Sequence, residues 1–140
     1  QVSEIEYDLH IECDTNNPKY RLWFYFAVSN VGKNQRVVFN VVNFCKSKSL
    51  LRDGMTPLVC SRLRPKWTRL QQKNVYYYRC PRHNFSCILS WVFVFDRPDD
   101  TYFFAYSFPY TYTDLQRYLH SVDRLELPYY RRELLNRSVQ

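Results

Sequence analysis

The sequence has only two glycines, one methionine and three histidines among its 140 residues. Two isolated glycines, Gly32 and Gly54, cannot form the glycine-rich loop that holds a phosphate, so phosphate-loop enzymes are excluded. Every unbroken apolar run is far shorter than the roughly 20 residues that cross a bilayer. We therefore predict no membrane span and no membrane partner.

Metal ligands and activated nucleophiles are also scarce. His10 and Glu12 share the polar face of a predicted strand, where a solvated pair is the simplest interpretation. His120 and Asp123 have the spacing of a metal pair on a helix, but no further ligand follows them. The sequence also lacks the G-x-S-x-G elbow of many hydrolases. We predict that this chain holds no catalytic residue, metal or cofactor and is not itself an enzyme.

The cysteines do not form a pattern typical of secreted proteins. Their number is odd and no C-x-x-C pair occurs, which indicates a reducing compartment; they are Cys13, Cys45, Cys60, Cys80 and Cys87. Hydrophobic residues make up 46% of the chain and aromatic residues 19%, so the chain is expected to fold. Residues 1–140 suit a single domain. With no initiator methionine or leader, we expect a domain excised from a longer chain.

Alternation of apolar and polar residues predicts a mainly β fold. Strand-like runs occur at 4–13, 20–31, 36–44, 58–61, 67–70, 75–79, 86–95 and 101–107. The run at 20–31 is apolar on both faces, which favours a central strand. Turn residues at 30–34 and 97–100 predict two hairpins, 20–31 with 36–44 and 86–95 with 101–107. Short strands without intervening helices indicate an antiparallel two-sheet β-sandwich.

Helical signals occur only at the end of the chain. Thr113 can cap a helix and Asp114 favours its N-terminus, while Leu115, Leu119 and Val122 follow at helical spacing. A second helix is predicted to start at Pro128, which is tolerated at the first helical position. We therefore expect one or two C-terminal helices after the strands.

A basic stretch without any acidic residue separates Asp53 from Asp96. A field of one sign attracts polyanions, so nucleic acid or an acidic peptide is a natural partner. The alternative is a solvated basic face without a ligand. Three consecutive tyrosines at 76–78 could also stack on single-stranded RNA, although at least one of them should point into the core. The candidate contacts for an acidic substrate are Arg62, Arg64, Lys66, Arg69, Lys73, Arg79 and Arg82.

Several motifs resemble the N-terminal domain of cytosolic carboxypeptidases. The most specific is FPYTYTDLQ at 108–116, preceded by YFFAY at 102–106. Upstream, WFYF at 23–26, FNVVNF at 39–44 and G-M-x-P at 54–57 follow in the family's order. One paralogue is resembled more closely, through NPKYRLWF at 17–24, RPKW at 64–67 and KNVYYYRCP at 73–81. Two departures, Leu51 for a usual Tyr and Ser107 for a common Cys, are conservative in packing terms.

The resemblance implies a parent enzyme of the zinc metallocarboxypeptidase type, which removes glutamates from polyglutamylated tails, including those of tubulin. The zinc ligands and the general base would belong to a domain after Gln140. This chain would then be a noncatalytic β-sandwich that packs on its own carboxypeptidase domain and shapes access for acidic tails. The implied location is the cytosol, with association at microtubules or centrioles.

The motif after the last strand has more aromatic area than a connection needs. We expect it to dock on the carboxypeptidase domain, although its tyrosines could instead cover the end of the sandwich. The candidate docking residues are Phe108, Pro109, Tyr110, Thr111, Tyr112, Thr113 and Asp114. The alternative function is a free-standing basic and aromatic module that binds RNA or an acidic peptide, and the resemblance makes nucleic acid the less favoured partner.

Overall fold

The computed structural model describes residues 5–45, 50–83 and 85–136, which form eight strands and one α-helix. The elements are β1 Ile5–Leu9, β2 Tyr25–Val28, β3 Gln35–Val41, β4 Leu58–Ser61, β5 Thr68–Arg69, β6 Val75–Cys80, β7 Ser86–Phe95, β8 Tyr102–Ala105 and α1 Tyr112–Asp123. The chain divides into two compact units, Gln1–Phe108 with all the strands and Pro109–Gln140 with the helix.

The strands form two four-stranded sheets. Sheet 1 has the order β1-β3-β7-β6, and sheet 2 has the order β2-β8-β4-β5. All neighbours are antiparallel except β1 and β3, which run parallel from Ile5 opposite Val37 to Leu9 opposite Val41. The predicted mainly β, two-sheet fold is confirmed, with one parallel pair that the sequence did not indicate.

Aromatic side chains fill the core of the first unit. Trp91 of β7 is fully buried and stacks on Phe24 with ring centroids 5.6 Å apart. Phe39 of sheet 1 and Phe104 of sheet 2 both contact this tryptophan, with ring centroids 5.5 and 6.0 Å from its own. Since each fully buried large apolar side chain contributes roughly 1.5–3 kcal/mol, this cluster is the main source of the fold's stability.

The two predicted hairpins are wrong, because in each case the two strands lie in different sheets. β2 pairs with β8, whereas β3 pairs with β1 and β7. The predicted partners face each other across the core instead. The ring centroids of Phe26 and Phe39 are 5.7 Å apart, and those of Phe95 and Tyr102 are 4.9 Å apart. Two strongly apolar runs bury more surface face to face than side by side, and this outweighs the local turn signal.

The strand bounds also differ from the prediction at the start of the chain. Of the run at 4–13, β1 includes residues 5–9, and Glu4 lies outside the described residues. Of the run at 20–31, only 25–28 are strand, and β2 is an outer strand of sheet 2 and not a central one. The sequence missed this because Trp23 and Tyr25 are apolar but substantially exposed.

Helix α1 confirms the expected helix and corrects its cap. Thr111, and not Thr113, is the N-cap: its hydroxyl accepts from the Asp114 amide at 3.1 Å, and the Asp114 carboxylate accepts from the Thr111 amide at 3.1 Å. The second helix predicted from Pro128 does not form, and α1 is the only α-helix in the described part of the chain. Leu134 and Leu135 are 78% and 98% exposed, so nothing offsets the cost of helix nucleation there.

Candidate interaction surfaces

The described residues offer no metal centre. No group of three or more His, Cys, Asp or Glu side chains within 5–45, 50–83 and 85–136 could hold a metal ion. Among the residues that the structure describes, His83 lies near the carboxylate of Asp8, with Nε2 3.9 Å from Oδ2. A zinc site requires three or four converging ligands, so the residues present do not fit the zinc ion of a carboxypeptidase. No described helix is long and apolar enough to cross a membrane either.

The seven candidate basic residues are all exposed but lie on several elements. Three are in the β4–β5 connection, one each on β5 and β6, and two in short 3₁₀ turns; in chain order they are Arg62, Arg64, Lys66, Arg69, Lys73, Arg79 and Arg82. β5 and β6 are outer strands of sheet 2 and sheet 1, respectively. The basic stretch is therefore distributed along the strand edges and turns of the sandwich.

Two of these arginines already have contacts within the domain. Arg64 pairs with Asp96 at 2.7 Å, and its guanidinium lies 6.0 Å from the ring centre of Tyr102. The hydrogen bond from the Tyr102 hydroxyl, together with Arg64, holds the pKa of Asp96 below its usual range. Arg69 donates to the Thr56 carbonyl at 2.5 Å and lies 5.9 Å from the ring of Phe108. Both side chains stabilise the fold and are less available to a ligand.

Three neighbouring cavities lie beside β6, and each is lined by at least one of its tyrosines at 76–78. Their volumes are about 500, 400 and 360 Å³. Arg36 and Arg69 line the first, Arg52 lines the second, and Arg52 with Arg79 line the third. Among the described residues, no aspartate or glutamate lines any of them. These cavities, here called the β6 furrow, form a cationic surface suited to an extended acidic chain.

The sequence pattern does not single out Arg52, because this residue precedes Asp53 and so falls outside the acid-free window. No hydrogen bond or ion pair of the described residues involves the guanidinium groups of Arg52 and Arg79. Tyr76 and Tyr78 are about half exposed, whereas Tyr77 packs against the core, as expected for alternating strand residues. Burial raises the pKa of Tyr77 well above its ordinary value, which keeps its hydroxyl neutral.

The predicted docking segment begins at the end of the first unit and continues into α1. Phe108, Tyr110 and Tyr112 are 59%, 65% and 75% exposed, so their rings have apolar surface available for a partner. Thr111 and Asp114 have a structural role in the N-cap, and the hydrogen bond from the Thr111 hydroxyl lowers the pKa of Asp114. Docking by this segment stays a prediction.

Sheet 2 carries a second aromatic surface on its outer face. Tyr25 is 51% exposed, and its ring lies 6.1 Å from Trp67 and 6.2 Å from Phe103. These three rings, here called the sheet 2 aromatic face, are on the opposite side of the sheet from the partly buried Phe26 and the buried Phe104. The sequence signal was the run WFYF, whose rings alternate between the two faces of the strand.

Comparisons with known proteins give a consistent result. The sequence profile described as the cytosolic carboxypeptidase N-terminal domain matches residues 1–107. Human cytosolic carboxypeptidase 6 is 58% identical over 140 residues, covering 100% of this chain and 28% of that protein. The Caenorhabditis elegans protein of that name is 44% identical over 141 residues, covering 100% and 30%. Human cytosolic carboxypeptidase 2 is 40% identical over 131 residues, covering 87% and 14%. The chain thus spans less than a third of these relatives.

Proposed function

Because this chain belongs to the cytosolic carboxypeptidase N-terminal domain family, we propose that it packs on a zinc carboxypeptidase domain and shapes substrate access to it. In this proposal the chain itself is noncatalytic. The parent enzyme removes glutamates from polyglutamylated proteins such as tubulin. Zinc and the reacting groups belong to the catalytic domain, since the described residues do not fit a zinc ion.

The observation that carries the packing proposal is the sheet 2 aromatic face. Tyr25 contacts both Trp67 and Phe103 on the outside of a sheet. Aromatic side chains of this kind are enriched at the buried centres of protein interfaces, and exposed apolar patches mark interaction sites. Phe108, which is also exposed, adds to the apolar surface that a second domain would cover.

The substrate proposal is supported by the β6 furrow. Polyglutamate is an extended chain with a negative charge on every residue, and the furrow has arginines at several points along its length. Exposed charges of this kind act mainly on association, so the expected effect is on substrate capture rather than on bond cleavage. The names of the relatives place them in the cytosol, and we extend this location to the present chain, with association at microtubules or centrioles.

Packing can be tested in a chimaera, namely human cytosolic carboxypeptidase 6 carrying these 140 residues in place of its own segment. Tyr25→Ser with Trp67→Ser should lower the melting temperature and soluble yield of the chimaera, because the interface loses two aromatic anchors. The melting temperature of the 140-residue chain should fall much less. Tyr20→Ser with Phe85→Ser, also exposed aromatics, serves as the control. If the two double variants lowered the melting temperature and soluble yield of the chimaera equally, the proposal would be contradicted.

The second candidate, a free-standing binding module, is favoured by the arginines and tyrosines of the β6 furrow. Such a module would bind without a catalytic domain. Titration of the 140-residue chain with a glutamate decapeptide and with a single-stranded RNA of equal charge distinguishes the two functions. Tight binding of the RNA, retained at physiological salt, would favour the module, whereas weak and salt-sensitive binding of the peptide agrees with an access domain.

A further inference from the structure

We infer that the segment from Pro109 onwards belongs structurally to the domain that follows in the relatives, and that the apolar face of α1 packs inside that domain. The inference rests on the proposed function, because it requires a carboxypeptidase domain after residue 140. It differs from the single domain predicted over 1–140, and it makes Phe108 the last residue of the sandwich.

Two independent boundaries coincide at this position. The N-terminal domain profile matches residues 1–107, and the compact unit that contains every strand ends at Phe108. Likeness to the relatives nevertheless continues, since the human and nematode proteins match over all 140 and 141 aligned positions. The residues after 108 are therefore part of the same kind of protein without being part of the profiled domain.

Helix α1 presents an apolar face that no described residue of its own unit buries. Leu115, Tyr118, Val122 and Leu125 recur at spacings of three and four, which places them on one side of the helix and its continuation. No residue of the helix is buried, and Tyr118 and Leu125 are 61% and 64% exposed. Such a row of apolar side chains in a well-formed helix indicates a missing partner surface.

In contrast, polar side chains of the same segment already form hydrogen bonds within it. The Thr111–Asp114 capping box fixes the start of α1. Arg132 donates to Asp123 at 3.0 Å and to Gln116 at 2.5 Å, which holds the following chain against the helix. A flexible linker needs neither feature. The segment thus forms ordered local structure, while its apolar side chains remain exposed.

A helix of this length is marginal by itself in water, so its stability must come from tertiary packing. The occupant of its apolar face is the chain that follows residue 140, because this chain covers only 28% of the human relative and 30% of the nematode relative. Leu134 and Leu135, which are 78% and 98% exposed here, would be buried in the same core.

Hydrogen exchange on unmodified proteins tests the inference without relying on a variant. In the 140-residue chain, the amides of residues 116–123 should exchange at least about tenfold faster than in the chimaera described above. Amides of β3 and β7 should exchange at similar rates in both proteins. Equal protection of α1 in the two proteins would overturn the inference, because the helix would then be stabilised within the 140 residues.

A pair of variants gives a second readout. Leu115→Ser with Tyr118→Ser should leave the melting temperature of the 140-residue chain unchanged and lower that of the chimaera. The matched control is Leu63→Ser with Tyr76→Ser, an exposed leucine and tyrosine of the sandwich, which should lower neither. A clear loss in the 140-residue chain would show that α1 stabilises the sandwich, and an unchanged chimaera would show that its face is uncovered; each result contradicts the inference.

The test separates this inference from the proposed function. The activity of the unmodified chimaera on a glutamate-tailed peptide reports on the function, whereas exchange and melting report on the domain boundary. An active chimaera with equal protection of α1 would retain the function and reject the boundary.

Discussion

At the scale of single residues, Asp100 is an acidic side chain that the fold uses internally. It is only 2% exposed and accepts hydrogen bonds from the amides of Leu63 at 3.2 Å and Thr101 at 2.8 Å. Burial by itself would raise the pKa of Asp100, but the neighbouring Ser61 hydroxyl and these two bonds outweigh it and lower the pKa. Burial is the larger cause of the raised pKa of Cys60, and the negative charge of Asp100 raises it further.

The lowered pKa of Asp100 predicts a pH-dependent stability. A carboxyl group whose pKa is lower in the folded than in the unfolded protein stabilises the fold above about pH 3.9, and this contribution is lost as the pH falls through the folded value. Asp100→Asn should therefore lower the melting temperature at pH 7 and reduce the loss of stability between pH 5 and pH 3, both measured by circular dichroism.

The matched control for Asp100 is its exposed neighbour Asp99. Asp99→Asn removes the same charge without touching the buried hydrogen bonds, so the melting temperature should stay nearly constant. If the two variants had the same pH profile, the stabilising role of Asp100 would be rejected.

At the scale of elements, the β6 furrow depends on the outer strand β6, which carries Arg79 and lies beside Arg52. Arg52→Glu with Arg79→Glu reverses two charges inside the furrow, while Arg62→Glu with Arg82→Glu makes the same net change outside its lining. In the chimaera the furrow pair should raise KM for a glutamate-tailed peptide severalfold at low salt and leave kcat nearly unchanged. The control pair should raise KM less.

Steady-state kinetics at low and high salt check this prediction. Since both double variants change the net charge equally, long-range attraction affects both alike and only local contact distinguishes them. Equal KM values for the two pairs at low salt would reject the furrow as a contact and leave only a general charge effect.

The limits of sequence interpretation are clearest at this scale. Alternation located most strands, because it reports which face of a strand is buried. It could not identify partners: Asn30 and Asn34, with φ of 57° and 59°, look like hairpin residues but stand in a connection that crosses between sheets. The partner choice depends on apolar surfaces far apart in sequence, such as those of Phe26 and Phe39.

The candidate surfaces were predictable to a similar degree. Charge counting along the chain found most cations of the strand edges, since it needs no geometry. It could not tell that Arg64 is engaged by Asp96, or that Arg52 lies beside β6, because both facts depend on how distant segments meet. For the same reason, the sequence pattern places the exposed Tyr25 in a strand covered on both faces.

At the scale of the whole molecule, the proposed noncatalytic role predicts how the 140-residue chain behaves towards zinc and peptide. The 140-residue chain should bind no stoichiometric zinc and release no glutamate from a polyglutamate peptide, because its described residues bring no three metal ligands together. Metal analysis after dialysis and a coupled glutamate assay provide the measurement. One zinc per chain that disappears in His120→Ala would contradict this prediction.

The crossing of the chain between its two sheets also has a kinetic consequence. Tyr25 pairs with Ala105 and Gln35 with Phe95, whereas β4–β5 and β6–β7 are the pairs formed by strands adjacent in sequence. Pairings between distant segments require the closure of long loops before their contacts stabilise anything, so domains of this topology fold in milliseconds to seconds. During synthesis, sheet 2 cannot be completed until β8 emerges from the ribosome, and β2 must wait unpaired for a partner made much later.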